Sequence, residues 1–335
     1  MEDTASRLKQ RMRSIGLSDS VIEAAWPEWW SDAADASASA RAELRFSLSR
    51  KLGLDPHSLL DDKEEPRFIW RDEARFKHLS DEGQLERAAI TSFGTALGRY
   101  LIEATSVSPE PLRWDSMSLR KAILREQRYV RLLDILSACW SMGIPVIHLR
   151  IFPCERKRMS AMAVRVGGRT AIMLGRDSMY PPHIAFYLAH ELAHIALGHL
   201  SHEPVVVDFD TTGLATSSDD PEEMEADRFA LELLTGASQP KVLPRFQGYS
   251  ARELARVALD AAPQLSIEPG TLALCFGYST GDWATANAAI QRIYSEPRPV
   301  WAEVNRVAAG QLTLDLIPDD SRHYLKAILG DVWSA

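Results

Sequence analysis

Apolar residues recur at helical spacing over most of this chain and form β-branched or alternating runs only near its middle. Residues 4–30 read as a short amphipathic helix followed by an aromatic cluster, Trp26, Trp29 and Trp30, broken by Pro27. The next ten residues, SDAADASASA, are rich in Ala, Ser and Asp and read as a linker. In SARAELRFSLSRKLGLDPHSLLDD, Leu44, Phe46, Leu48 and Leu52 supply the apolar positions of a helix that Gly53 ends, and a short helix, DPHSLL, follows. More helix is expected over residues 65–105, with Pro109 and Pro111 marking a boundary. Beyond them Arg120, Lys121, Arg125, Arg128 and Arg131 share a helical pattern whose other side carries Leu119, Ile123, Val130 and Leu133. With Arg156-Lys157-Arg158 further on, these are two basic patches. Each reads as a solvated face rather than as a contact for nucleic acid or an acidic peptide.

The period then changes. GIPVIHLRIF (143–152) has the β-branched content of a strand, and MAVRV and RTAIML flank Gly167-Gly168, which predicts a β-hairpin over residues 162–174. A helix is expected from Pro181-Pro182, which suit a first turn, to Gly198, which supplies a stop. A second begins at Asp219-Asp220-Pro221 and carries Met224, Phe229, Leu231 and Leu234 as its apolar positions. Past Gly236, residues 249–261 and 281–294 look helical, with turns at 266–269 and 297–299. The fold class that follows is α+β and mostly helical, with a small antiparallel sheet packed on the 181–198 helix. Three regions are expected: a helical N-terminal region (1–110), a central α+β domain (111–240) and a helical C-terminal region (241–335). In that arrangement residues 171–174 are the candidate free edge along which an extended peptide can lie.

Candidate chemistry is concentrated in the 181–198 helix. His190-Glu191-Leu192-Ala193-His194 is an HExxH sequence, and histidines four apart lie one turn above another, about 5–6 Å apart at Cβ. That geometry suits two imidazoles on one zinc ion. Glu191, about 100° round the helix, is placed to act as general base toward a water molecule. The rest of the helix is apolar nearly all round, so its imidazoles and carboxylate are buried and need something to satisfy them.

A catalytic zinc needs a third protein ligand. In DPEEMEADRF, Glu223 and Asp227 share a face, so the first can bind zinc while the second holds a ligand imidazole by its other nitrogen. Asp220-Pro221-Glu222-Glu223 also resembles a capping box, and Glu225 is the alternative ligand. A three-histidine pattern of the metzincin kind needs Gly and His where this chain has Leu197 and Leu200; His199 is therefore read as a cap or a support for a ligand. His183 and Tyr187 share the motif's stripe and read as cleft wall. Tyr180, Tyr187, His199 and His202 are the candidates for stabilising an oxyanion. Cys154, in FPCERK, lacks the context of the cysteine ligand found in peptide deformylases, another HExxH class.

Composition changes this picture little. The 335 residues are 46% hydrophobic and 25% charged, with a formal net charge of −8, which gives no global reason to bind nucleic acid. Three isolated cysteines argue against a disulfide framework and against CxxC chemistry. The opening MEDTASRLKQRMRS shows neither a signal nor a transit pattern, and no uncharged run is long enough to cross a bilayer. A cytoplasmic protein is the expectation.

Taken together, GIPV, the hairpin, FYLAHELAHIALGH and EMEADRFALELL resemble the ImmA/IrrE family of zinc metallopeptidases over about residues 143–236. The departure is Leu233-Leu234-Thr235-Gly236, where that family usually continues LL with Met-Pro. The resemblance implies His190, His194 and Glu223 as ligands, Glu191 as base and Asp227 as the residue orienting a ligand. It also implies cleavage of a partner helix-turn-helix repressor. Residues 39–62 resemble the closing part of a Cro/repressor-type helix-turn-helix domain, although a basic recognition helix is not evident. The alternative is a non-proteolytic regulator or antitoxin-like binding module built on the same scaffold.

Overall fold

Helices from both ends of the chain flank a five-stranded sheet in the computed structural model, which describes residues 4–70, 74–76, 83–108, 114–155, 159–201, 204–209, 220–240 and 249–333. In chain order come α1 (Thr4–Ser14), α2 (Asp19–Ala25), α3 (Asp32–Asp35), α4 (Ala38–Leu52), α5 (Pro56–Leu60), β1 (Ala74–Phe76) and α6 (Gln84–Glu103). The middle of the chain forms α7 (Ser116–Ile123), α8 (Leu132–Ser141), β2 (Val146–His148), β3 (Met159–Val166), β4 (Arg169–Leu174), α9 (Pro181–Ala196), β5 (Val205–Phe209) and α10 (Pro221–Thr235). Five further helices follow: α11 (Ala251–Leu265), α12 (Pro269–Thr280), α13 (Trp283–Ile293), α14 (Val300–Gln311) and α15 (Asp319–Leu329). The class is α+β and mostly helical.

Gly167 and Gly168, at φ +58° and +81°, close the expected hairpin of β3 and β4. The strand order is β1-β5-β3-β4-β2, with β3 antiparallel to both neighbours and the outer pairs β1/β5 and β2/β4 parallel. The sheet is therefore mixed rather than antiparallel throughout. The expected free edge at 171–174 is also corrected: β4 is paired on both sides, by Ala163 on β3 and Val146 on β2 through Ile172. Composition marks a segment as a strand, whereas its neighbours depend on how the chain crosses over.

Strand alternation sorts the core into two layers. Met162, Val164 and Met173 enter the cluster formed with α6, and Ala161, Ile172 and Leu174 enter the one formed with α9. α6 comes close because of Gly94 and Gly98. A Cβ added there would lie 2.5 Å from Met162 Sδ or Val164 Cγ2, respectively. α9 covers the opposite face, which fixes the HExxH helix on the sheet.

Local signals in the sequence set several boundaries. Gly53 ends α4 at φ +70°, in a left-handed conformation. Asp220 caps α10 by accepting from the Glu222 amide at 3.1 Å. Residues 31–40 are not a linker: Ser31 and Ser37 cap α3 and α4, so the serines there are helix-start chemistry. Trp26 and Trp30 pack against the main core while Trp29 stays exposed.

The basic stretch is not one helix face: Arg120 and Lys121 are on α7, Arg125 and Arg128 lie in the turn that follows and Arg131 caps α8, and Arg120 is not on a solvated face. It is buried, and its guanidinium donates to the Leu233 and Leu234 carbonyls at the end of α10 (3.0 and 2.8 Å) and to Ser266 O at 2.6 Å. Arg156-Lys157-Arg158 lie outside the described residues.

The two ends of the chain share one core, in which Leu44, Leu48 and Leu52 cluster with Tyr324, Leu325 and Ile328. Lys51 Nζ donates to Ala25 O at 3.0 Å and to Asp320 Oδ1 at 2.6 Å, and Tyr324 donates its hydroxyl to Lys51 O. In the helix-turn-helix-like segment, Arg45 is likewise turned inward onto Leu59 O and Asp62. These two cations therefore do not face solvent, where a phosphate backbone would meet them. No described helix is long and apolar enough to cross a membrane.

Candidate metal centre

α9 and α10 pack against each other, and their facing sides bring three donor groups together. His190 Nε2 and His194 Nε2 are 3.1 Å apart. Each is 3.3 Å from the Glu223 carboxylate, His190 from Oε2 and His194 from Oε1. All three side chains are buried, and one ligand atom from each lies within 4.8 Å of the others. This group can hold a metal ion. Tetrahedral coordination with bonds of about 2.0–2.1 Å places neighbouring donors about 3.3 Å apart, which is the separation present here.

The outer nitrogens fit a tautomer in which these are lone pairs rather than protons. His190 Nδ1 is 2.9 Å from Asp227 Oδ1; a carboxylate only accepts, so Nδ1 carries the proton and Nε2 offers its lone pair. His194 Nδ1 is 2.8 Å from His199 Nδ1, and His199 Nε2 is 3.4 Å from Glu225 Oε2. With His194 donating, His199 accepts at Nδ1 and turns its own N–H toward Glu225, leaving His194 Nε2 as a second lone pair. Two imidazole lone pairs and a carboxylate facing one another in a buried space are mutually repulsive without a cation between them. A divalent metal fits that donor set.

Asp227 and His199 hold the two imidazoles from behind, so their loss should loosen the metal rather than the fold. Asp227→Ala is expected to weaken metal affinity about 10–100-fold with little change in melting temperature, measured by competition against a chromophoric chelator. Affinity equal to wild type would show that His190 is oriented by packing alone.

Glu191 follows His190 directly and is fully buried, in the same water-poor interior as the donors. Glu225, the alternative ligand, faces His199 instead, and its side chain is about half exposed, at 49%.

The aromatic candidates are dispersed. Tyr180 sits at the start of α9, ten residues or roughly 15 Å before His190. Its ring packs on Tyr294, 5.8 Å away, so the structure does not bring it to the centre. Tyr187 accepts a hydrogen bond from Arg176 Nη1 at 2.7 Å and carries that guanidinium over its ring. His183 Nε2 is 3.0 Å from Asn287 Oδ1, a tie between α9 and α13, and burial holds its pKa below the ordinary histidine value. His202 lies outside the described residues.

One residue that sequence reasoning missed stands near the centre. α12 runs beside α9, with Gly270 against Pro182. Further along α12 is Tyr278. Burial and then the Asp227 carboxylate push the Tyr278 hydroxyl above its ordinary pKa, so it is a neutral donor near pH 7. α12 does carry boundary signals, Pro269 in its first turn and Gly281 past its end in a left-handed conformation, and these with its apolar run, LALCF, could have found the helix though not its neighbours.

Comparison with protein-family models, curated proteins and solved structures returns no match for this chain.

Proposed function

We propose that this chain is a cytoplasmic zinc-dependent endopeptidase that cleaves a specific regulatory protein of the helix-turn-helix repressor class. The observation that carries the reading is the convergence of His190, His194 and Glu223 beside the fully buried Glu191. Zinc is favoured over other divalent ions by the donor chemistry, two imidazoles and one carboxylate. Three protein donors, rather than four, are the hallmark of a catalytic site with an open position. The buried thiols of Cys139 and Cys275, pushed up to about 12, take no part in the cluster.

When bound, zinc supplies Lewis acidity toward a carbonyl oxygen and makes water more acidic. The residues of the chain do the rest. His190, His194 and Glu223 fix the ion, while Asp227 and His199 fix the two imidazoles. Glu191 accepts the proton of the attacking water and returns it to the leaving amine. Tyr278, a neutral hydroxyl within the field of Asp227, is the candidate donor to a substrate carbonyl.

The substrate class is supported by the resemblance of residues 143–236 to the ImmA/IrrE metallopeptidases, whose members cut repressors. Incubating zinc-loaded protein with repressor-type proteins encoded beside its gene, and sequencing the new N-termini, tests it. A single internal cut in one of them is expected; intact repressors throughout would remove this substrate class. The inward-turned Arg45 and Lys51 give little support to direct DNA binding by residues 39–62. A binding module on a peptidase scaffold is the competing reading. Equal repression or neutralisation in cells by wild type and Glu191→Gln would favour it.

A further inference from the structure

A cavity of about 370 Å³ lies at the opposite end of α9 from the HExxH residues. That volume is within the range of small-molecule sites. Pro181, Pro182 and Ala185 of α9 and Leu132 of α8 line it. Tyr129 and Tyr294 add aromatic surface to the lining. The walls are therefore mostly apolar, and the chemistry is set by three charged residues.

Two of the three are already answered within the protein. Glu268 accepts from the Gly270 amide at 3.0 Å and the Tyr294 hydroxyl through Oε1, and from the Thr271 amide and hydroxyl at 2.7 and 3.1 Å through Oε2. Arg131, which also lines the cavity, donates to Asp134 at 3.0 and 3.2 Å and to Gln127 at 2.6 Å, so its charge is paired with a neighbouring carboxylate. Glu303 differs. It lies half-buried in the first turn of α14, lines the cavity, and forms no ion pair among the described residues. A carboxylate at the edge of an apolar, tyrosine-walled cavity is the arrangement that recognises an organic cation: charge pairing at one end, ring faces and proline surface around the body.

We infer that this cavity is a binding site for a small organic amine with a compact aromatic or apolar body, held by Glu303 and packed between the two tyrosines and the first turns of α9. It is independent of whether the metal centre hydrolyses peptides. An amine bound there would touch the metal-bearing helix five residues before His190.

Isothermal titration calorimetry on the full-length protein tests this with three probes of one shape: tryptamine, its neutral alcohol analogue tryptophol, and indole-3-acetate. Tryptamine is expected to bind at least tenfold more tightly than tryptophol, and indole-3-acetate not at all. Glu303→Gln, which keeps the side chain's shape, is expected to bring tryptamine down to the level of tryptophol, with an unchanged melting temperature as the control for folding. No heat with tryptamine, equal affinity for the amine and the alcohol, or full tryptamine binding by Glu303→Gln would each overturn the assignment. Should that variant fold poorly, the ranking of the three probes on wild-type protein decides by itself.

Discussion

Glu191→Gln is expected to load metal to the same level as wild type and to cleave its protein substrate roughly a thousandfold more slowly. Glutamine keeps the size of the side chain and cannot take up a proton, so the change isolates proton transfer from metal binding. General base catalysis contributes about 10²–10⁴ in rate, and a factor of a thousand corresponds to about 4 kcal/mol of lost transition-state stabilisation. The three donors are untouched, because Glu191 sits about 100° around α9 from the histidine line. Elemental analysis of untagged protein gives the metal content, and a single-turnover assay gives the rate. Cleavage at the wild-type rate would remove Glu191 from the mechanism; loss of metal would place it among the ligands. Replacing a buried carboxylate by an amide also relieves the cost of a buried charge, so the variant is expected to be no less stable than wild type.

Removing the metal is the second large effect. Because the three donors come from two helices, α9 and α10, an ion bound to all three binds the folded chain and not the unfolded one. At free metal a thousandfold above its dissociation constant, linkage gives about 4.1 kcal/mol of stability. For 335 residues at an unfolding entropy of about 2.1 cal/mol/K each, that is a fall in Tm of roughly 6 °C on chelation, reversed by adding zinc. His194→Ala should melt at one temperature with or without zinc, since the two remaining donors no longer enclose an ion. Calorimetric scans on the four samples check this. A wild-type Tm indifferent to chelator would mean that the donors are held together by protons and packing.

The sequence made the candidate metal-binding group legible for a simple reason: helical spacing is geometry. His190 and His194 at four residues, and Glu223 and Asp227 at four residues on a second helix, declare their faces before any tertiary contact is known. That the two faces meet, with Asp227 behind His190 and His199 behind His194, is where the structure adds to them. Strand pairing is different, because side-chain alternation identifies a strand without naming its neighbour. Hence the hairpin was readable from Gly167-Gly168, while the parallel edges and the burial of β4 between β3 and β2 were not. Arg120 shows a further limit. Its position on a basic stripe suggested solvent, yet it binds the end of α10, because three backbone carbonyls from distant segments outweigh local charge pattern. Tyr278 was invisible for the same reason: its place within the field of Asp227 comes from tertiary packing alone.

The central claim is that His190, His194 and Glu223 form a three-ligand zinc site. X-ray absorption at the zinc edge of untagged, full-length protein measures it most directly. The prediction is close to one zinc per chain, with a first shell of nitrogen and oxygen only and the multiple-scattering signature of two imidazoles. Absence of bound zinc, or a sulfur shell drawn from the cysteines, would contradict it.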